Sequence, residues 1–300
     1  MSIISAALRT RERRHSARFA RTGFAESTLA ELAWQRTRGV AGRWALAGTV
    51  VGALVALVVY APAAWLASAV ASATGERVLL TDARGTLWGG SALPVLTGGP
   101  GSRDASALPG RLEWNLAWHG LSFEVRARQA CCLRGEVRAL VRPGLGRLSV
   151  QLLPAESSTV GQWPASWLAG LGTPWNTLQL GGTLRLTSPG LTVEWVQGRV
   201  RFTGEAALDV AGASSRVATL DTLGSYRLSL RGNAASGDAA TVSLITVDGA
   251  LRLSGQGEWT ANGLRFRGEA QAAEGNEAAL NNLLNIIGRR QGARSVISIG

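Results

Sequence analysis

The sequence predicts a mainly β protein: an N-terminal transmembrane helix followed by a curved antiparallel β-meander, a taco- or trough-like sheet, with two short helices. Three observations carry that prediction. A charge-free apolar run occupies residues 44–75, apolar and polar residues alternate with a period of two through much of the chain beyond it, and 38 glycines supply turns between short strands. No run of ten to fifteen helical residues separates the alternating segments of residues 76–270. That favours antiparallel hairpins over strand–helix–strand units.

The first element in chain order is a basic arm, residues 1–43. It holds nine arginines (Arg9, Arg11, Arg13, Arg14, Arg18, Arg21, Arg36, Arg38 and Arg43) against Glu12, Glu26 and Glu31. More than half of the formal charge of +11 therefore sits in one seventh of the 300 residues. Leu29, Leu32 and Ala33 form a short interfacial face. Met1 is the sole methionine and Val40 directly precedes the sequence AGRWALAG. A hypothesis follows: natural translation starts at a valine-coded position near Val40. Intact-mass measurement of the natively expressed protein tests it, and a mass that includes residues 1–39 overturns it.

The second element is the transmembrane helix, expected over residues 44–68. Its most apolar part, WALAGTVVGALVALVVYAPAAWL, is long enough as a helix to reach about 34 Å, against a hydrocarbon core of about 30 Å. Trp44 at one end and Tyr60 and Trp65 at the other fit interfacial aromatic belts, and Pro62 kinks or ends the helix near the second interface. With the arginines ahead of the span, the positive-inside rule places the N-terminus in the cytoplasm and the C-terminal part across the membrane. Two other readings stand beside this one. Ala71-Ser72-Ala73 has the form of a signal-peptide cleavage site, although the apolar run exceeds an ordinary signal core and the arm before it is long. A buried core helix fits less well with the arginine-rich flank. The arm's charge is an orientation signal in this reading, and no nucleic-acid partner is expected.

The third element is an antiparallel β domain over residues 76–300. Leu112, Trp114, Leu116 and Trp118 alternate with Glu113, Asn115, Ala117 and His119, and Leu121, Phe123 and Val125 continue the pattern. It returns at Tyr226, Leu228 and Leu230, at Leu251 and Leu253, and at Leu264 and Phe266, with arginines and serines opposite. Such alternation describes a sheet with one buried and one wet face. Turns are expected at Pro143-Gly144, Gly181-Gly182, Ser188-Pro189-Gly190, Ala211-Gly212, Asn233 and Asn262-Gly263, dividing the chain into about a dozen strands between Val78 and Ala270. Residues 98–110 read as a glycine-rich loop. The two helices are expected at residues 160–171, with Trp163, Trp167, Leu168 and Leu171 on one face, and at residues 277–288. In the second, Leu280, Leu283, Leu284 and Ile287 form the apolar stripe between an Asn276 N-cap and a Gly288 C′ residue.

Chemistry-bearing residues are sparse. All 31 basic residues are arginine, so lysine-dependent phosphate loops, imine-forming sites and Ser-Lys hydrolases are excluded. His15 and His119 are the two histidines, too few for a multi-histidine metal site. His119 falls on the polar face of its strand with Glu113 and lacks an accompanying nucleophile motif. Cys131 and Cys132 are adjacent, expected as buried thiols or as a bridge between neighbours. Gly98-Gly99-Pro100-Gly101 lacks the strand–helix setting of a dinucleotide fingerprint. The expectation is therefore a non-enzyme with no catalytic, metal or cofactor site and no cofactor.

Several segments carry a resemblance: the PAAWLA exit from the apolar run, GTLWGGSA over residues 85–92, LEWNLAW over residues 112–118, LGGTLRL over residues 180–186 and the LNNLLNIIGRR helix. From about Val40 to the C-terminus the chain resembles the type II secretion system protein N (general secretion pathway protein N) family. Its arginine-rich arm departs from that family, whose members begin close to the span. The resemblance implies an auxiliary single-pass component of the inner membrane of a Gram-negative cell, with its C-terminal domain in the periplasm. It also implies protein–protein contacts with other inner-membrane platform proteins of the secretion machinery, and no catalytic residues. The alternative is an envelope lipid-binding or lipid-transfer module whose apolar β trough takes acyl chains. The most specific motif is Gly85, Thr86, Leu87, Trp88, Gly89 and Gly90. It is read as part of the second strand after the span: Gly85 begins a strand, Thr86 and Trp88 share a face, and Gly89-Gly90 allow a bulge or close backbone approach. Its functional reading makes Trp88 the mark of a docking surface for a partner or a lipid chain.

Overall fold

The computed structural model describes residues 42–154, 157–232, 239–260 and 263–300. Residues 1–41, including Val40 and the Leu29, Leu32 and Ala33 face, lie outside the described residues, as do the expected turn residues Asn233 and Asn262. The chain divides into two compact units, Met1–Tyr60 and Ala61–Gly300.

In the first unit, helix α1 spans Gly42–Val59 and is the one helix among the described residues that is long and apolar enough to cross a membrane. From Trp44 on its surface is apolar, and the Thr49 hydroxyl is satisfied internally, its Oγ1 donating to the Ala45 carbonyl at 2.9 Å. The helix ends before the expected boundary at residue 68. Pro62 has no N–H to give and stands in an extended conformation (φ −69°, ψ 146°), so the apolar run restarts as a second helix, α2, over Ala63–Ala73. Ala61 and Ala63 are buried within the second unit.

Among the described residues, that unit is built on one antiparallel sheet of sixteen strands. They are β1 (Val78–Gly85), β2 (Gly89–Thr97), β3 (Ala105–Ala107), β4 (Leu112–His119), β5 (Ser122–Gln129), β6 (Val137–Gly144), β7 (Arg147–Leu152), β8 (Thr159–Pro164), β9 (Leu180–Val196), β10 (Arg199–Ser215), β11 (Gly224–Gly232), β12 (Ala240–Asp248), β13 (Leu251–Thr260), β14 (Gly263–Ala272), β15 (Arg289–Gln291) and β16 (Arg294–Ile299). Their order is β1-β2-β4-β5-β6-β7-β9-β10-β11-β12-β13-β14-β16-β15, nearly that of the chain, with β3 beside β2 and β8 beside β9. The sheet is open, with β1 and β15 as its edges.

Several expectations are corrected by this arrangement. Gly181-Gly182 and Ser188-Pro189-Gly190 are not turns but lie inside the seventeen-residue β9, where the register with β10 shifts at both places. Ser188-Pro189-Gly190 adds an extra residue to β9, a bulge, whereas Gly181-Gly182 stand opposite an extra residue of β10; glycine and proline interrupt a ladder without ending it. Ala211-Gly212 lies likewise inside β10, next to its own register shift. Residues 159–164 pair with β9 as β8, so the helix expected from residue 160 is only a 3-10 helix over Ala165–Leu171, followed by the four-residue α3 (Trp175–Leu178). The loop at residues 98–110 contains β3, and the C-terminal helix is followed by the unexpected hairpin β15–β16.

Side chains alternate across a strand, so residues paired across the ladder share a face. One row runs Leu116, Val125, Ala139, Leu152, Leu191, Gly204, Gly232, Ala240, Trp259 and Leu264. A parallel row runs Trp118, Phe123, Val141, Val150, Val193 and Phe202. The apolar face is thus continuous across the sheet, as alternation predicted. It is also concave. The Phe202 and Trp259 rings meet edge-on, 5.4 Å apart at their centroids, over Gly232 and Ala240 of the intervening strands. Tyr226 of β11 reaches past β12 to donate its hydroxyl to the Leu251 carbonyl at 2.9 Å.

Helices pack on this face at both ends of the strand order. Near the C-terminus, α4 (Glu277–Ile287) buries Leu280, Leu283 and Leu284 against Tyr226, Leu251 and Ala270. Asn276 stands at its N-cap position without a side-chain capping bond, and Gly288 ends it in an extended conformation, φ −164°, rather than a left-handed one. Glycine is required there because a Cβ would run into the Val296 backbone. Near the N-terminus, α2 buries Ala63 against Ala92 and Trp114, with Leu66, Leu80 and Ala83 around them.

Candidate functional site

The six-residue motif forms the turn between the first two strands. Gly85 ends β1 instead of beginning a strand, and Gly89 begins β2. The Gly85 backbone has φ +88°, a left-handed value that glycine adopts without strain, and a Cβ there would stand 2.6 Å from the Gly89 carbonyl oxygen. Thr86 locks the turn: its N–H donates to the Gly89 carbonyl at 2.9 Å, and its Oγ1 accepts from the Gly89 N–H at 3.2 Å. At Gly90 a Cβ would meet the Arg84 carbonyl oxygen at 2.6 Å and the Trp114 ring at 2.7 Å. The ring occupies the space that glycine leaves, and its Nε1–H donates to the Leu87 carbonyl at 3.2 Å.

The turn is also tied outward. The Leu87 N–H donates to the Ala61 carbonyl at 2.8 Å, and Thr86 forms an isolated bridge with Pro62. Trp88 reaches β4 through both its backbone and its ring. Its carbonyl accepts from the Leu116 N–H at 2.7 Å, and its ring lies 6.1 Å from Trp118 and 6.3 Å from Phe123, which are themselves 4.3 Å apart. Trp88 therefore joins an aromatic cluster with Trp118 and Phe123 at the rim of the concave face.

Beside the turn, β1 carries a bulge at Asp82, whose φ is +49°. Arg111 clamps it, donating from Nη1 to Asp82 Oδ2 at 2.7 Å and from Nη2 to the Asp82 and Ser91 carbonyls at 2.6 and 3.0 Å. These hydrogen bonds from Arg111, and a second from Arg84, hold the Asp82 carboxyl below its ordinary 3.8. A lowered carboxylate steadies the bulge above the ordinary range and releases it as the pH falls through the lowered value.

The concave face is closed at one end and open at the other. At the closed end the 3-10 helix leaves β8 and crosses to β3, which pairs with β2 near the other end of the strand order, and there Trp167 Nε1–H donates to the Ser106 carbonyl at 3.0 Å. Gly170 admits that crossing, since a Cβ would strike the Leu96 and Ser106 backbone. At the open end, Trp118, Leu148 and Trp195 remain exposed, and the Val141, Val150 and Val193 row is only half-buried. The opposite face is polar, with Glu124, Arg126, Arg128 and Glu136 forming surface ion pairs.

His119 is exposed at the end of β4, on the polar face that also carries Glu113. Cys131 and Cys132 form a disulfide between neighbours in a turn after β5, not in a strand. The Cys132 carbonyl accepts from the Gln162 N–H at 2.7 Å and Leu133 bridges to Gly161, so this turn covers the outer side of β8. Among the described residues no three His, Cys, Asp or Glu side chains gather as a metal site.

Residues 76–297 match the family model described as Type II secretion system (T2SS), protein N. No curated protein and no solved structure matches the chain.

Proposed function

Because this chain belongs to the type II secretion system protein N family, we propose that it is an auxiliary, single-pass component of the inner membrane that works through protein–protein contacts in the assembly platform of the secretion system. The observation that carries this reading is the family match over nearly all of the β unit. The α1 helix supports a membrane anchor, and the arginines ahead of it support an N-in, C-out orientation with the β unit in the periplasm. The sheet suits a binding role. At one edge, β15 is only three residues long and carries Arg289 and Arg290, features that discourage strand addition. At the other edge, β1 offers Val78, Leu79, Leu80 and Thr81 in regular register before the Asp82 bulge, so a partner strand would extend the sheet there.

A second reading has its own observation, the open concave apolar face with its exposed Trp118, Leu148 and Trp195. In that reading the β unit binds an acyl chain along the trough, without any catalytic step.

One purification tests both readings. The native chain, solubilised from inner membrane and isolated at mild detergent, is expected to carry platform proteins of the secretion system in fixed proportion. A stoichiometric phospholipid without those proteins, seen by native mass spectrometry, would replace the first reading by the second. A chain with neither would sink both.

A further inference from the structure

The strand directions gather the turns β1–β2, β4–β5, β6–β7 and β9–β10 at one end of the sheet. We propose that this end rests on a lipid surface, the face of the membrane crossed by α1; the proposal depends on α1 being the anchor.

Two of these tips are apolar where water-facing turns would be polar. Leu121 heads the β4–β5 turn at 93% exposure, Leu145 heads the β6–β7 turn at 107%, and Trp118 stands just below at 67%. Trp195 and Leu148 extend the same exposed rim. Exposed apolar residues scattered singly over a surface need no explanation, but a row of them along one end of a sheet does. The opposite end shows the contrast, its Leu280, Leu283 and Leu284 being covered.

Charge and connectivity select lipid as the occupant. Residues 118–123, 142–148 and 195–202 contain Arg142, Arg147, Arg199, Arg201 and His119 and no acidic residue. Tryptophan with arginine around an apolar tip is the composition of a membrane interface, where rings sit at headgroup level and guanidinium groups meet phosphates. The β1–β2 turn in this row is hydrogen-bonded to Ala61, which follows the last residue of α1, Val59, by two positions. Two residues span at most about 7 Å. The β unit thus begins, at Ala61, against the row of tips.

Spin labels test the proposal on the full chain in vesicles of phosphatidylethanolamine and phosphatidylglycerol, without other proteins. Single substitutions Leu121→Cys and Leu145→Cys probe the tips, Val51→Cys probes α1, and Arg103→Cys probes the opposite end of the sheet. The unsubstituted chain, with Cys131 and Cys132 joined, gives the labelling blank. The expected result is a severalfold higher ratio of oxygen to nickel-chelate collisions at residues 121, 145 and 51 than at residue 103. If residue 51 reports lipid while residues 121 and 145 behave as residue 103 does, the tips are in water; the proposal is overturned and the anchor stands. If residue 51 also reports water, both are overturned. Low collision with both reagents at the tips marks a second copy of the chain on this end, and overturns the proposal as well.

Discussion

Leu283→Ala is expected to destabilise the β unit by about 2–5 kcal/mol, the range for deleting a fully buried leucine. Leu283 is 1% exposed, between Leu280 and Leu284 at 0% and 1%, and their shared floor is Tyr226, Leu251 and Ala270. That floor cannot easily close over a cavity. The Tyr226 hydroxyl is bound to the Leu251 carbonyl, and the Ser295 hydroxyl to the Leu284 carbonyl, which pins the helix to β16 at the position where it would have to sink. Thermal unfolding of the detergent-solubilised chain reads the effect. Asn282→Ala, exposed on the same helix, is the control and should stay within about 0.5 kcal/mol of the parent. Equal midpoints for the two variants would show that α4 does not hold the sheet.

The second large effect is expected at Gly90→Ala. Its Cβ would have to enter space held by the Arg84 carbonyl and the Trp114 ring. Overpacking costs about 1–3 kcal/mol, and displacing Trp114 would also strip the Leu87 carbonyl of its indole donor, worth about another 1 kcal/mol. Gly89→Ala is the informative comparison, because the nearest atom to a Cβ there is Asn115 Nδ2 at 3.8 Å. Denaturant unfolding should separate these adjacent glycines clearly. If both substitutions were equally mild, the motif would owe its glycines to something other than the close approach of Trp114.

The alternation at Leu112, Trp114, Leu116 and Trp118 was enough to read the sheet, its antiparallel character and its apolar face, because a period of two has one structural meaning. The stripe at Leu280, Leu283, Leu284 and Ile287 was equally plain. What escaped is what depends on distant partners. Ser188-Pro189-Gly190 has the local chemistry of a turn, and only the ladders of β8 and β10 on either side make it a bulge. Trp163 and Trp167 have a helical spacing, yet the edge of β9 recruits residues 160–164 as a strand. In the motif at residues 85–90, Thr86 and Trp88 mimic the alternation of a strand, whereas the left-handed Gly85 and the bond from Leu87 to Ala61 make it a turn. The row of apolar tips was present in the sequence as Leu121, Leu145 and Trp195, but alternation counts Leu121 with the buried face, whereas it heads a turn and is exposed. It takes the strand directions to bring them together.

The nearly sequential order of the strands has a consequence for how such a chain reaches its final form. Most strands pair with the segment synthesised just before them, so contacts close over short stretches of backbone. A chain emerging from its N-terminus can add strands one hairpin at a time, starting from the Thr86 turn, without waiting for the C-terminal residues to arrive. In that order α4 and β16 come last, so the leucines that seal the far end would also complete assembly. A truncated chain would keep a growing edge where β14 expects its neighbour.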